Sequence, residues 1–500
     1  MQVEPIGTIT MCFPHVDEET RFVLQLVMNE AENLGDFTEC LCDRVCAEAS
    51  PPLLEYLAVY FAWWLDWYTL IDRLESLGKV NDLTRHLLLM SQARRGEEVS
   101  WEDLRKAIRQ ALIAAPNDWI ASHLYLAWRY LAESYYPETD IDIQPIEVIT
   151  SSIEKNKDMK CFKSYLSFFR ARSYEREGRL NEAADEYRQT IGIAREFDDQ
   201  LMAVDVMLAY AANIRQSDVK QAIDLLISSR ELCQRLGYKS GVSNILLNLG
   251  FIMQFRGELN AAIDYVLDFE AIREHLGLPT QLPRTFIASL YNQYGKGEQA
   301  YQYAKSAVDS SGTKSFIRML PRMHAELAWA LINLSRYDEA SAELATAYEF
   351  ASKTADSGQM IWVRLVDGIL DKNEKHFDSA HSIFKEILKT LENDPIPVFQ
   401  NICLLNLTEI EIELLTDVFL KKNSDVSGPW MTELVKHAEK NDLPGIAARS
   451  LLLKAELRRR QGRYDEIRTL LKQVQVTAKV PSMKYLNELV ISMFPEINMT

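Results

Sequence analysis

The side chains best equipped for chemistry form small, separate sets. Cys40, Cys42 and Cys46, with Cys12 upstream, could hold zinc as thiolates in a tetrahedral site. Cys42 and Cys46 lie four apart, on one helical face. The spacing lacks a C-x-x-C knuckle, however, and cysteine packs well as a small apolar side chain, so packing is the expected role. His376 and His381 are five apart and straddle a helix start, which makes them poor co-ligands. Glu409, Glu411 and Glu413 could supply paired carboxylates for proton transfer, but they sit in an acidic helical stretch that reads as a solvated face. Arg458-Arg459-Arg460 could contact an acidic partner surface and is too short for a nucleic-acid stripe. Gly295-Lys296-Gly297 lacks the rest of a phosphate-binding loop, and G-x-G-x-x-G, G-x-S-x-G and H-E-x-x-H do not occur. The expectation is a protein with no catalytic residues, no metal and no cofactor: not an enzyme.

The totals narrow the class further. A chain of 500 residues is too long for one compact core, so several domains or a repeat array must position any site. It carries 55 basic and 72 acidic residues, a formal charge of −17, which repels phosphate backbones and argues against nucleic acid as a partner. Seven cysteines without a disulfide rhythm suggest a reducing compartment. No basic n-region precedes an apolar run at the N-terminus, so a cytoplasmic location is expected. The apolar stretch Leu53 to Ile71 contains Trp63, Trp64 and Trp67, but Glu55 and Asp66 leave only ten uncharged residues between them. That is short of the roughly 20 a membrane span needs, so a buried helix is expected and no membrane partner.

The elements that dominate the chain repeat. Gly178-Arg179-Leu180-Asn181-Glu182-Ala183 recurs as Gly257-Glu258-Leu259-Asn260-Ala261-Ala262, as Ser335-Arg336-Tyr337-Asp338-Glu339-Ala340, and late as Gly462-Arg463-Tyr464-Asp465-Glu466-Ile467. The anchor alanines Ala183, Ala222, Ala262, Ala300, Ala340 and Ala380 are spaced by 39, 40, 38, 40 and 40 residues. Ile467 follows 87 residues after Ala380, room for two units, so one unit near 398–440 has degenerated. A period of this length means stacked helical pairs. Small residues recur where two helices must approach: Gly250 with Ala262, and Ala328 with Ala340. The Gly or Ser five places before the anchor in these units suits the tight turn between helices.

The flanks read differently. Ile6 to Phe13 has the β-branched alternation of a strand, ended by Pro14. Such a strand could pair with a second copy and give a homodimer. Asp17 caps a helix through about Leu34, and Asp36 with Glu39 marks another helix start. Ser50-Pro51-Pro52 opens helices expected at 52–76, 81–95, 101–115 and 118–135, and residues 137–145 form a polar connection. The organisation is thus 1–50 non-repeat, 51–137 degenerate helical pairs, 146–480 repeat array, and 481–500 a capping helix (about Ser482 to Phe494) and tail.

This pattern resembles the tetratricopeptide repeat. The family places a small residue twelve before the anchor alanine, a large one nine before, an aromatic four after and a small one seven after. The unit around Ala183 matches with Ala171, Tyr174, Tyr187 and Thr190. The unit around Ala380 has Gly368 and Phe384, while Asp371 and Ile387 depart. The usual unit of 34 residues is exceeded, as in kinesin light chains, peptide-responsive bacterial regulators and the sensor arms of large signal-transducing ATPases. The likeness is strong over 160–480 and weaker over 51–160. It implies an all-α, right-handed superhelical α-solenoid whose first helices line a concave groove. Carried over by position, the groove holds Tyr165, Phe168 and Arg172; Val204 and Met207; Asn244, Leu247 and Phe251; Arg322 and Trp329; and Trp362, Leu365 and Ile369. An apolar groove of this kind suits a protein or peptide partner such as an amphipathic helix, with Trp329, Trp362 and Phe251 as anchors. The same residues could instead be core. The implied function is a protein-interaction scaffold or, as the alternative, a signalling receptor whose superhelix closes on a peptide or small effector. No DNA-binding or ATPase module of its own is evident.

Overall fold

Six of the seven repeats turn on a residue that leaves the right-handed region five places before its anchor, the one at Ala222 being the exception. In the computed structural model these are Gly178, Gly257, Gly295, Ser335, Lys375 and Gly462, with φ between 60° and 82°. At Gly257 the next amide, Glu258 N–H, donates back to Met253 O at 2.9 Å, closing the orphan carbonyls of the helix end. Ser335 and Lys375 adopt the same conformation with a side chain attached, so the turn geometry outranks the glycine preference there. The anchors Ala183, Ala222, Ala262, Ala300, Ala340, Ala380 and Ile467 have no exposed surface. Twelve residues earlier the partner helix comes close. A Cβ on Gly250 would stand 2.7 Å from Val266 Cγ2, and one on Gly368 would stand 3.0 Å from Phe384. These are helix-turn-helix units of the tetratricopeptide type.

The structure describes residues 13–95, 99–135, 157–311, 318–354, 356–392, 395–415 and 428–495, together with Ile9, Glu97 and Ile153. Among them every regular element is helical. Before the repeats come α1 (Glu18–Glu30), α2 (Leu34–Ala47), α3 (Pro52–Trp64), α4 (Tyr68–Ser76), α5 (Arg85–Arg94), α6 (Trp101–Ala114) and α7 (Asp118–Tyr135). The hairpins are α8 (Lys163–Arg176) with α9 (Leu180–Glu196), α10 (Gln200–Ile214) with α11 (Val219–Leu236), and α12 (Lys239–Arg256) with α13 (Leu259–His275). They continue with α14 (Gln281–Tyr294) and α15 (Gly297–Asp309), α16 (Leu320–Asn333) and α17 (Tyr337–Thr354), and α18 (Ser357–Asn373) and α19 (Phe377–Thr390). The degenerate unit is a real pair, α20 (Pro397–Leu414) and α21 (Pro429–Lys440), followed by α22 (Pro444–Arg460), α23 (Tyr464–Ala478) and α24 (Tyr485–Met493).

Three expectations are corrected. Of the strand at Ile6 to Phe13, Ile9 is helical and Phe13 opens a 3-10 turn, Phe13–His15, while the rest lies outside the described residues. His15 in that turn stacks on Trp119, centroids 4.4 Å apart. The second helix starts at Asn33 rather than Asp36: Asn33 Oδ1 accepts from Asp36 N–H at 3.0 Å. The helix expected over 52–76 breaks at Asp66, which takes φ 58° and separates α3 from α4. Arg94 and the Tyr68 hydroxyl both bond its carboxylate and hold the break. The polar connection at 137–145 lies outside the described residues, as does most of the loop after α20.

The chain divides into two compact units, Met1–Asn248 with Ile272–Pro279, and Leu249–Ala271 with Thr280–Thr500. Within the first, α3 is apolar on all sides and is buried from Leu53 to Trp64 except at Glu55. The α1–α2 turn of this unit meets the α11–α12 turn: the Cα of Gly35 is 3.3 Å from where a Cβ on Gly237 would lie.

The second unit contains a similar seam, and a tighter one. The α12–α13 turn meets the start of α22, and a Cβ on Gly445 would fall 2.1 Å from Gly257 O. Polar bonds flank this backbone contact. Asn401 Nδ2 donates to Phe255 O at 2.7 Å, and the buried Tyr485 hydroxyl donates to Gly257 O at 2.9 Å. Tyr485 N–H donates to Asn260 Oδ1 at 2.8 Å, and Tyr294 OH to Glu488 Oε1 at 2.8 Å. The C-terminal helix α24 therefore packs on the first hairpin of its own unit as well as on α22 and α23.

Two predictions follow from this packing. Gly445→Ala forces backbone apart and should destabilise the chain by about 1–3 kcal/mol in urea unfolding. Gly192→Ala, in mid-helix with nothing near its missing Cβ, should instead stabilise by roughly 0.5–1 kcal/mol. Asp199 caps α10, accepting from Met202 N–H at 3.2 Å, and is only 4% exposed. Burial pushes its carboxyl up to about 6, with Asp198 adding to the shift. An acid with a raised folded pKa is most stable protonated, so this cost is absent below the unfolded value of 3.8, grows between 3.8 and about 6, and is full above that. Asp199→Asn keeps the cap and removes the charge. It should match the parent near pH 4 and exceed it above pH 6 by up to about 3 kcal/mol in thermal or urea unfolding.

Candidate functional site

The inner-face positions fall into three places. In the first unit Tyr165 and Phe168 are 4% and 6% exposed. Tyr165 packs 6.3 Å from the Phe162 ring and Phe168 packs 6.1 Å from Tyr187. Arg172 remains partly exposed and pairs with Glu175, whose carboxylate also accepts from Tyr187 OH at 3.0 Å. Asn244 is exposed and opens onto a cavity described below. In the second unit Phe251 stacks on Phe286 with centroids 4.5 Å apart.

Arg322, Trp329, Trp362 and Ile369 come together in that second unit. Trp329 and Trp362 are 6.1 Å apart, and Trp362 continues to Phe399 at 5.0 Å. The Arg322 guanidinium lies 3.9 Å above the Trp362 ring, and its Nε is 3.4 Å from Glu326 Oε1. Glu326 is fully buried; Asn292 Nδ2 donates to its Oε2 and to its backbone oxygen, each at 3.0 Å. Asn333 in turn donates to Asn292 Oδ1 at 3.2 Å. Desolvation pushes the Glu326 carboxyl up and the Arg322 guanidinium down, each opposed by the other's charge. Trp329, Trp362 and Ile369 are 6%, 1% and 4% exposed, so the aromatic anchors cover one another.

The first unit encloses a more open arrangement. Behind the break at Asp66 lies a cavity of about 280 Å³. One side is built by α3 to α5: Trp63, Asp66 and Arg94, with Arg94 stacked 3.7 Å over the Trp63 ring and bonded to Asp66 and to Trp63 O. The other side comes from the repeats: Asp205 on α10, Tyr238 at the start of α12, Asn244 on α12 and Arg273 on α13. Arg273 Nε donates to Pro279 O at 2.7 Å, which fixes its stem. Tyr238 is 6% exposed, and its hydroxyl reaches the cavity without a hydrogen bond to another described residue. Burial and the nearby carboxylates of Asp205 and Asp66 push the phenol well above its ordinary range, so it stays protonated as donor and acceptor. The Asn244 amide is likewise unbonded.

Of the cavity's residues, position in the repeat identified Asn244 alone. Asp66 stood in the sequence only as a charge interrupting an apolar run. Elsewhere, Cys42 is buried with its thiol raised by desolvation beyond reach of physiological ionisation, in keeping with packing. His376 lies near Asp371 and Glu374 at the exposed α18–α19 turn, a group with no buried member to organise it.

The solved structures with likeness to this chain include a Rap protein complexed with Competence and Sporulation Factor, at 13% identity and a TM-score of 0.41, over 80% of this chain and 98% of that one. The apo form of the quorum sensor NprR from B. thuringiensis aligns at 14% identity and 0.47, over 71% and 97%. A signal-transduction ATPase with a tetratricopeptide repeat sensor from Pyrococcus horikoshii aligns at 13% and 0.39, over 96% and 65%. No family model matches the chain, and no curated protein sequence does.

The buried pair gives a test of the second cluster. Arg322→Met leaves the fully buried Glu326 without its cation and should cost about 3–5 kcal/mol, while Glu326→Met leaves the partly exposed Arg322 and should cost less. The double replacement should cost less than the sum of the two, with a coupling of about 1–3 kcal/mol in a urea double-mutant cycle. Additive losses would show that the pair does not interact.

Proposed function

We propose that this chain is a binding receptor that takes a peptide or small effector on the inner face of its helical repeats and catalyses no reaction. The observation that carries this reading is the Tyr238 hydroxyl, which has no hydrogen bond to another described residue and reaches a cavity wall that also carries charged groups. A cavity with convergent polar groups is where a ligand would bind. Output would then come from a partner protein that reads whether the first unit is occupied. No described helix is long and apolar enough to cross a membrane, and the acidic charge disfavours nucleic acid.

The scaffold reading, with an amphipathic helix docked on Trp329 and Trp362, is the second choice. It requires those rings to be uncovered, and they are 6% and 1% exposed.

The receptor reading predicts that Tyr238→Phe folds with undiminished stability in the absence of ligand, because its hydroxyl has no bond to lose. The purified chain is equilibrated with the low-mass fraction of a cell extract, desalted, and weighed by native mass spectrometry. A small molecule or peptide retained by the parent and lost by Tyr238→Phe supports the proposal. Retention of nothing, or equal retention by both chains, overturns it.

A further inference from the structure

Resting on that reading, we infer that the cavity of the first unit selects a zwitterion: a free amino acid or a dipeptide with both its ammonium and its carboxylate intact. The charged groups at the wall are two carboxylates, Asp66 and Asp205, and two guanidiniums, Arg94 and Arg273. Their formal charges cancel. A ligand of net charge entering this enclosure would leave an unbalanced buried charge, which is far costlier than a dipolar ligand that returns the sum to zero. Each end of a zwitterion finds its opposite: carboxylates for the ammonium, guanidiniums for the carboxylate.

The uncharged polar groups fit the same ligand. The Tyr238 hydroxyl lies within electrostatic reach of Asp205 and of the Asp66–Arg94 pair, so it stands between the charges of the two walls. It can accept from an ammonium or donate to a carboxylate. Size sets the upper limit. About 280 Å³ is the space of roughly nine liquid waters, at about 30 Å³ each, enough for one amino acid or a small dipeptide and too little for a helical segment. The Trp63 and Tyr68 rings and Leu278 supply the apolar part of a wall that is mostly polar.

The test uses the full chain in calorimetric titrations. The probes are free L-phenylalanine, L-tyrosine, L-leucine and Gly-Phe, their N-acetyl and C-amide derivatives, and maltose as an uncharged polar control. At least one free member should bind, with affinity falling roughly tenfold or more when either end is blocked, as expected for losing a charge-assisted bond. Tyr238→Phe should weaken that binding. Asp205→Asn leaves one positive charge in excess and should shift preference toward the N-acetylated form, a change of selectivity that a merely structural role would not produce. Equal binding of free and blocked forms, binding of maltose instead, or no binding by any probe overturns the zwitterion. The extract experiment decides separately: a ligand retained there through Tyr238 while the probes fail leaves the receptor standing with another ligand class. Failure of both removes the receptor as well.

Discussion

The fold hangs on how closely two helices of a hairpin can approach. At most anchors the second helix presents an alanine with no exposed surface and the first helix a small residue opposite, glycine at 250 and 368; Ile467 and, opposite Ala222, Tyr210 depart. Nothing larger fits, because a Cβ at Gly250 already collides with Val266. The left-handed residue five places earlier delivers the chain to that contact. Spacing, turn and contact are one constraint seen at three levels, which is why they recur together every forty residues or so. Side chains on the first helices, such as Arg322 in one unit and Asn244 in the other, inherit their positions from it.

That constraint was readable because it is local. Gly178, Gly257 and Ser335 announce the turns, and Ala183, Ala262 and Ala340 announce the contacts, all within six residues. Contacts across long separations carry no such mark. Gly445 looks like any glycine after a proline until Gly257, far upstream, is placed against it. Asn401 reaches Phe255 across 146 residues. The cavity was hidden for the same reason: Asp66, Arg94, Asp205 and Arg273 belong to separate helices, and only folding brings their charges around Tyr238. The continuous helix expected through Trp63 to Ile71 failed because hydrophobic pattern measures burial, not backbone path. Asp66 turns the chain without diminishing the apolar run.

The two inner-face clusters show opposite ways to treat buried polarity. In the second unit, Glu326 has Arg322 and Asn292, Asn292 has Asn333, and the tryptophans pack over them, while the Trp362 indole N–H is buried with no hydrogen bond among the described residues. Such a cluster specifies packing and has little left to offer a partner. In the first unit the charges are balanced but the phenol of Tyr238 and the amide of Asn244 are left over. At a cavity wall such groups are donors and acceptors that a ligand can use.

Stacked repeats ordinarily behave as a line: each unit leans on its neighbours, and the ends fray first. The contact of Gly257 with Gly445 and of Tyr485 with Gly257 turns the line of the second unit into a loop of neighbours with no free end. In such a loop α24 packs on α22 and α23 and is also tied to the first hairpin by the Tyr485 bonds to Gly257 and Asn260. Amide hydrogens of α12 and α24, distant in sequence, would exchange as one group and at one rate, and a truncation that removes α24 would loosen the Gly257 turn before it loosens α18.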